Sequence, residues 1–125
     1  MSRTLARENA FRTIYSKLFD SSFDALEASD DLTGKYNVDF YADLVSSFET
    51  NYDEIKSKVS SNLKGITIDR VYKIDLALLY LAIAEIDYFK SPVKVVINEV
   101  VELAKKYSTE KSSKFINGFL AGLIK

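Results

Sequence analysis

The stretch Ile74–Phe89 reads IDLALLYLAIAEIDYF, and it decides the fold. Its apolar residues point in nearly every direction around a helix axis, with alanines between them, and do not keep to one face. A helix that is apolar all round must be surrounded by other helices. The run is too long and too rich in leucine and alanine for a buried strand, and Asp75, Glu85 and Asp87 interrupt it too often for a membrane span. We therefore predict a central core helix over residues 74–89.

Helices are also predicted on the N-terminal side of this core. Residues 3–20 show helical spacing of their apolar side chains, and Asp39–Glu49 shows it again. Between them lie a short helical stretch around Phe23–Ala28 and a loop in which Gly34 and Asn37 punctuate the chain. No segment shows the two-residue alternation of a strand, so the predicted fold class is all-α.

Capping residues mark two helix boundaries. Asn51, followed three residues later by Glu54, resembles a capping box and predicts a helix break near Thr50. Ser91 before Pro92 predicts an N-cap serine with proline at the first helical position.

The C-terminal part of the chain is predicted to hold two helices. Apolar residues follow at helical spacing from Val93 to Ala104, and a loop at Tyr107–Lys111 leads into the last helix, SSKFINGFLAGLIK. Glycine costs about 1 kcal/mol in a helix interior. We therefore interpret Gly118 and Gly122 as sites of close helix approach.

The composition restricts the chemistry that is available. A length of 125 residues predicts a single domain, 1–125, that is large enough to bury a hydrophobic core. It contains no cysteine and no histidine, which removes thiolate ligands and the most frequent general base and metal ligand. A glycine-rich phosphate loop and a nucleophile-plus-base pattern are also absent. We predict a cytoplasmic, non-enzymatic protein without catalytic residues, metal or membrane association.

The net charge of −1 conceals three blocks of different sign. Residues 1–17 hold four bases and one acid, a balance of +3; residues 18–54 hold ten acids and one base, −9; residues 55–125 hold twelve bases and seven acids, +5. Such blocks are typical of solvated helix faces. They are also compatible with a nucleic-acid surface made by the two basic ends. Arg3 and Arg7, at i and i+4 in the first helix, are spaced to clamp a phosphate, although many ordinary helices share that spacing.

Three blocks at the start, centre and end of the chain carry a family resemblance. Ala6-Arg7-Glu8, Ala10 and Ile14-Tyr15 fall on the pattern R-x-x-A-R-x-x-A-x-Q-x-L-Y, and LLYLAIAEI (78–86) resembles ILRLAIYEL. The longest match is INEVVELAKKYS (97–108) with SSKFINGFL (112–120), close to INEAVELAKKYG and S-x-KFVNGVL. On these blocks the chain, over nearly its whole length, resembles the NusB family of bacterial transcription antitermination factors.

The resemblance implies six to seven helices in two packed helical subdomains, about 1–64 and about 66–125, with no cofactor. It implies a transcription antitermination factor that binds boxA-type RNA of nascent ribosomal RNA transcripts, as single-stranded RNA, together with the ribosomal protein NusE. The pair then acts on the RNA polymerase elongation complex so that it reads through terminators. We expect a monomer or a weak homodimer.

The RNA site implied by the resemblance lies at both basic ends of the chain. Cations there would meet phosphates, and the aromatic ring of the SKF motif would stack on a base, a contact that contributes about 1–3 kcal/mol. The predicted RNA-binding residues are Arg3, Arg7, Tyr15, Lys111, Lys114 and Phe115.

The sequence departs from the family pattern at several cationic positions. The family usually has more arginine at its N-terminus, where this chain has Thr4 and Leu5 between Arg3 and Arg7, and Tyr80 stands where the central block has arginine. A site with fewer cations binds more weakly and loses less affinity with salt. A helical protein-binding adaptor of the same fold, with weak or lost RNA binding, is therefore the alternative function.

Some residues have two interpretations from sequence. Tyr15 and Phe115 lie on apolar stripes, so each is a core residue or an RNA contact. Glu85 is a buried hydrogen-bonding partner or part of a protein interface. A basic partner such as NusE would be drawn to the acidic residues of 18–54, or would contact the helices around 68–90.

Overall fold

The protein is described by a computed structural model that covers residues 3–19 and 37–123. The helices are α1 (Arg3–Phe19), α2 (Val38–Thr50), α3 (Tyr52–Asn62), α4 (Lys73–Phe89), α5 (Val93–Tyr107) and α6 (Glu110–Leu123), with a 3₁₀ turn at Ile68–Arg70. These two ranges hold six α-helices and no strand, and the prediction of an all-α fold is confirmed. The predicted helical stretch around Phe23–Ala28 and the loop residue Gly34 lie outside the described residues. None of the helices in the described ranges is long and apolar enough to cross a membrane.

Helix α4 is the centre of the molecule. Every residue from Asp75 to Glu85 is buried, including the two charged ones. Each of the other five helices packs against α4. The prediction of a central core helix is confirmed, and the physical reason is the one that the sequence suggests: apolar side chains on all faces require neighbours on all faces. The division into subdomains at about 1–64 and 66–125 stays a prediction.

The surrounding helices each contribute one apolar face to a common core. The side chains buried from these helices are Ala6, Ala10, Phe11 and Ile14 of α1; Phe40, Leu44 and Phe48 of α2; Ile55 and Val59 of α3; Val96, Val100, Leu103 and Ala104 of α5; and Ile116 and Leu120 of α6. Burial of this kind contributes about 25 cal/mol per Å² of apolar surface.

Asparagine side chains close both ends of α2. Asn37 caps α2, because its side-chain oxygen accepts a hydrogen bond from the Phe40 N–H at 3.0 Å. The break after Thr50 is confirmed, but the capping box is not formed. The Asn51 amide instead donates to the Ser47 carbonyl at 2.9 Å, closing the end of α2.

The starts of α5 and α6 differ from the prediction by one or two residues. Helix α5 begins at Val93, so Pro92 occupies the N-cap position that was assigned to Ser91. Helix α6 begins at Glu110, because the Thr109 hydroxyl accepts a hydrogen bond from the Ser112 N–H at 3.0 Å and caps the helix. The connection between α5 and α6 therefore contains only two residues.

The two glycines of α6 are not sites of close helix approach. A Cβ atom built on Gly118 or Gly122 would meet nothing within 4 Å, and both positions are exposed. That prediction is wrong because the glycines lie on the outer face of α6, while Ile116 and Leu120 face the core. Their small size instead opens a groove on the surface.

Candidate nucleic-acid interface

The start of α6 is held firmly against the core. Ser112 and Ser113 are buried, and the Ser113 hydroxyl donates to the Glu110 carbonyl at 2.8 Å. Ser108, two residues before α6 begins, donates to a carboxylate oxygen of Asp75 in α4 at 2.9 Å. These bonds fix the helix turn that carries Lys111, Lys114 and Phe115. The two lysines are exposed, and Phe115 is partly buried against the core.

The Phe115 ring lies between two surface depressions. We call the first the glycine groove; its volume is about 370 Å³ and it is lined by Asn62, Leu63, Lys64, Lys114, Phe115, Gly118, Phe119, Gly122 and Leu123. We call the second the tyrosine depression; its volume is about 230 Å³ and it is lined by Ile66, Arg70, Val71, Tyr72, Asp75 and Phe115. Phe115 is the residue common to both, and its ring centroid lies 6.2 Å from that of Phe119.

Cations without a carboxylate partner surround Phe115. Lys64, Arg70, Lys111 and Lys114 are exposed, and none forms a salt bridge with any other described residue. By contrast, Lys58, Lys105 and Lys106 are all paired with acids on other parts of the surface. An aromatic ring flanked by unpaired cations is the arrangement that binds single-stranded nucleic acid, because bases stack on the ring and phosphates meet the cations.

Arg7 belongs to a buried ion cluster. Its Nε and Nη2 atoms donate to the two carboxylate oxygens of Glu85, at 2.7 and 2.6 Å, and Nη1 donates to Glu99 at 3.1 Å. Arg7 is 6 % exposed and Glu85 is 0 % exposed. Burial works against the charged guanidinium, but the bonds and charges of Glu85 and Glu99 outweigh burial and raise the pKa of Arg7. The prediction that Arg7 meets a phosphate is therefore corrected: this geometry gives Arg7 a structural role, and Glu85 is its buried partner.

Arg3 and Tyr15 stay candidates with different surroundings. Arg3 is exposed at the start of α1, and its guanidinium carbon lies 4.4 Å from the centre of the Phe40 ring. The Arg3 guanidinium is therefore held over an aromatic ring at an exposed position. Tyr15 is partly buried and packs against Phe11, with ring centroids 6.0 Å apart. Their role in RNA binding stays a prediction.

The six predicted residues do not form one site. Arg7 contacts Glu85, whereas Phe115 and Asp75 line the same depression. Asp75 and Glu85 are ten residues apart in one helix, about 15 Å along its axis. Lys111, Lys114 and Phe115 are brought together on α6, and Arg3 lies toward the other end of α4.

Sequence reasoning missed three residues that surround Phe115. Lys64, Arg70 and Tyr72 belong to the segment between α3 and α4, and Tyr72 is 68 % exposed. This segment is irregular apart from one 3₁₀ turn, so no hydrophobic period assigns a direction to its side chains. The signal that was available is composition: two cations and an aromatic residue stand within nine positions, between two predicted helices.

The part of the chain that the structure describes defines an all-α protein whose candidate site is an open cationic and aromatic surface. Within residues 3–19 and 37–123 no group of three or more acidic side chains is placed to hold a metal ion.

Comparison with known sequences gives the family. The model of the NusB family matches residues 4–125. A transcription antitermination protein NusB of Finegoldia magna is 37 % identical over an alignment of 130 positions, which covers 100 % of this chain and 95 % of the relative. A protein of the same name from Listeria innocua is 40 % identical over an alignment of 125 positions, which covers 98 % of this chain and 96 % of the relative. The chain belongs to the NusB family.

Solved structures show the same fold. The structure of T. maritima NusB matches with a TM-score of 0.83 and 26 % identity, covering 98 % of this chain and 90 % of that one. A NusB chain from a crystal structure of antitermination factors NusB and NusE in complex with double-stranded RNA has a TM-score of 0.82 and 29 % identity, covering 97 % and 94 %. The predicted family and fold are thus confirmed.

Proposed function

We propose that this protein is a transcription antitermination factor that binds boxA-type RNA of nascent ribosomal RNA transcripts together with the ribosomal protein NusE. The pair acts through the RNA polymerase elongation complex in the cytoplasm. The relatives named as antitermination proteins and the similar complex of NusB, NusE and RNA support this function. It is a binding function, and we assign no catalytic residue to it.

The observation that carries the proposal is the surface around Phe115. It combines one ring shared by two depressions with four exposed cations that have no acidic partner among the described residues. Aromatic side chains stack only on bases that are not enclosed in a duplex. We therefore propose single-stranded RNA as the ligand of this surface.

Substitutions at Phe115 and Lys114 should separate stacking from charge. Phe115→Ala should weaken RNA binding by about 1–3 kcal/mol with little change in the salt dependence, because it removes a base platform and no charge. Lys114→Ala should lower the slope of log K against log salt by about 0.7, the value for one phosphate contact on a single strand. Fluorescence titrations of labelled boxA-like RNA between 50 and roughly 300 mM salt, with NusE present, measure both quantities.

Lys94→Ala is the matched control for this titration. Lys94 is exposed on α5 and lines neither depression. Its removal should leave both affinity and slope unchanged. Equal affinity for the wild type, Phe115→Ala and Lys114→Ala would contradict the placement of RNA on this surface. A duplex competitor that displaces the labelled strand at equal concentration would contradict the preference for single strands.

A helical protein-binding adaptor is the second candidate function. The observation that favours it is the apolar character of the tyrosine depression, where Ile66 and Tyr72 are exposed hydrophobic residues. Within 68–90 the helix α4 is buried from Asp75 to Glu85, so a partner reaches only the ends of this range. Titration of the RNA with and without NusE separates the two functions, because an adaptor would bind NusE alone and leave the RNA free.

The acidic residues of α2 are expected to steer a basic partner. Asp39 and Asp43 are exposed, whereas Asp30 and Asp31 lie outside the described residues. Asp39→Asn with Asp43→Asn should slow association with NusE by about twofold or more at low salt, and dissociation should hardly change, because peripheral charges act mainly on the on-rate. Stopped-flow measurements over ionic strength test this. Identical association rates at low salt would show that these acids only solvate the surface.

A further inference from the structure

We propose that the glycine groove seats one unstacked nucleotide of the bound RNA strand, next to the base that stacks on Phe115. This inference rests on the proposed function and extends it, since it assigns a position to a second nucleotide. The occupant is a single-stranded ribonucleotide, and the groove receives its base while the two lysines at its rim hold the adjoining phosphates.

The shape of the groove fits a flat group. Nothing lies within 4 Å of a Cβ position on Gly118 or Gly122, so the outer face of α6 is bare over a full helical turn. Phe119 and Leu63 supply the apolar walls, and both are partly buried against the core, which holds them in place. The volume of about 370 Å³ lies in the range of small-ligand sites.

The charge of the groove fits an anion. Among the described residues, Lys64 and Lys114 are the charged ones that line it, and no described carboxylate accompanies them. Each of four other depressions on the described surface includes at least one aspartate or glutamate. A phosphodiester chain is attracted to a groove whose described charged residues are all cations.

One polar group in the groove can contact the base edge. The Asn62 side-chain nitrogen donates to the Lys58 carbonyl at 2.7 Å, which fixes the amide at the end of α3. This bond leaves the amide oxygen as an acceptor at the groove wall. The exocyclic amino group of adenine, cytosine or guanine is a donor that would satisfy it.

The groove is continuous with the surface of the proposed function. Phe115 closes one end of it and also lines the tyrosine depression. A strand that stacks one base on Phe115 therefore delivers the neighbouring nucleotide to the groove without leaving the protein surface. Lys114 stands beside Phe115 in sequence and lines the groove, so it lies where the connecting phosphate must pass.

Filling the groove without changing its charge is the direct test. Gly118→Leu places a side chain in the open space, and leucine is a better helix former than glycine, so the fold is retained. We expect RNA affinity in the presence of NusE to fall about tenfold, with the salt dependence unchanged because no cation is lost. Ala121→Leu is the matched control, since Ala121 is exposed on the same helix but does not line the groove. Its affinity should stay within about twofold of the wild type.

A charge variant gives an independent measurement. Lys64→Gln should lower the salt slope by about 0.7, the loss of one phosphate contact. Wild-type affinity in Gly118→Leu, or equal losses in Gly118→Leu and Ala121→Leu, would overturn the groove assignment and leave the proposed function standing. Failure of the wild type to bind boxA-like RNA with NusE present would overturn both.

Discussion

Replacing Arg7 with alanine is expected to lower the free energy of unfolding by about 3–5 kcal/mol, because it leaves the charge of Glu85 buried without a partner. The Glu85 side chain is fully buried, and both of its oxygens accept bonds from the Arg7 guanidinium. Removing one member of such a pair costs far more than the net contribution of the pair itself, since the remaining ion has lost its water and its counter-ion together. Denaturant unfolding monitored by circular dichroism measures the change.

Two further variants test whether the burial of Glu85 causes this loss of stability. Lys17 pairs with Glu49 at 2.9 Å with both side chains exposed, so Lys17→Ala should cost no more than about 1 kcal/mol. The double variant Arg7→Met with Glu85→Leu should recover much of the loss, because it removes both charges and keeps apolar volume. A cost for Arg7→Ala as small as that for Lys17→Ala would show that Glu85 is solvated in the protein.

The ion cluster explains why the role of Arg7 could not be read from the sequence. Arg7 and Glu85 are 78 positions apart, and each stands beside apolar residues that allow several interpretations. Spacing within α1 places Arg3 and Arg7 on one side, but it carries no information on which helix covers that side. The carboxylates of Glu85 and Glu99 come from α4 and α5, and only the packing of three helices brings them to one guanidinium.

The fold was easier to predict from the sequence than the site, because the spacing of hydrophobic residues is a local property of the chain. The all-round apolar character of Ile74–Phe89 predicted the central helix, and helical spacing predicted the buried faces of α2 and α5. The predicted helix ends were less accurate, because Asn51 and Thr109 can each form hydrogen bonds with more than one neighbouring backbone group. Gly118 and Gly122 were misinterpreted because a bare helix face serves equally for close packing and for an open groove.

The residues of the candidate site that lie near a sequence motif were predicted, whereas those from the irregular segment before α4 were missed. Lys111, Lys114 and Phe115 lie in or next to the SKF motif, and the structure keeps them on one helix. Arg70 and Tyr72 come from the segment before α4, and their position beside Phe115 depends on how that segment turns. The position of Arg70 and Tyr72 beside Phe115 therefore depends on tertiary structure, and residue spacing within α6 could not predict it.

The second large effect is expected at Leu79, in the middle of α4. Leu79→Ala should lower the free energy of unfolding by about 2–5 kcal/mol, since it deletes buried methyl groups and leaves a cavity. Alanine is the better helix former of the two residues. Any loss therefore reports packing around α4 and not the stability of the helix itself. Thermal and denaturant unfolding of the variant measure the change.

Two control variants test whether enclosure of α4 is the cause. Leu79→Met keeps the apolar volume and should cost less than about 1.5 kcal/mol, while Val95→Ala, at an exposed position of α5, should stay within about 0.5 kcal/mol of the wild type. A cost for Leu79→Ala close to that for Val95→Ala would mean that the helix is not enclosed. Because the other five helices of the described ranges all pack against α4, a large cost for Leu79→Ala is the result expected of an enclosed helix.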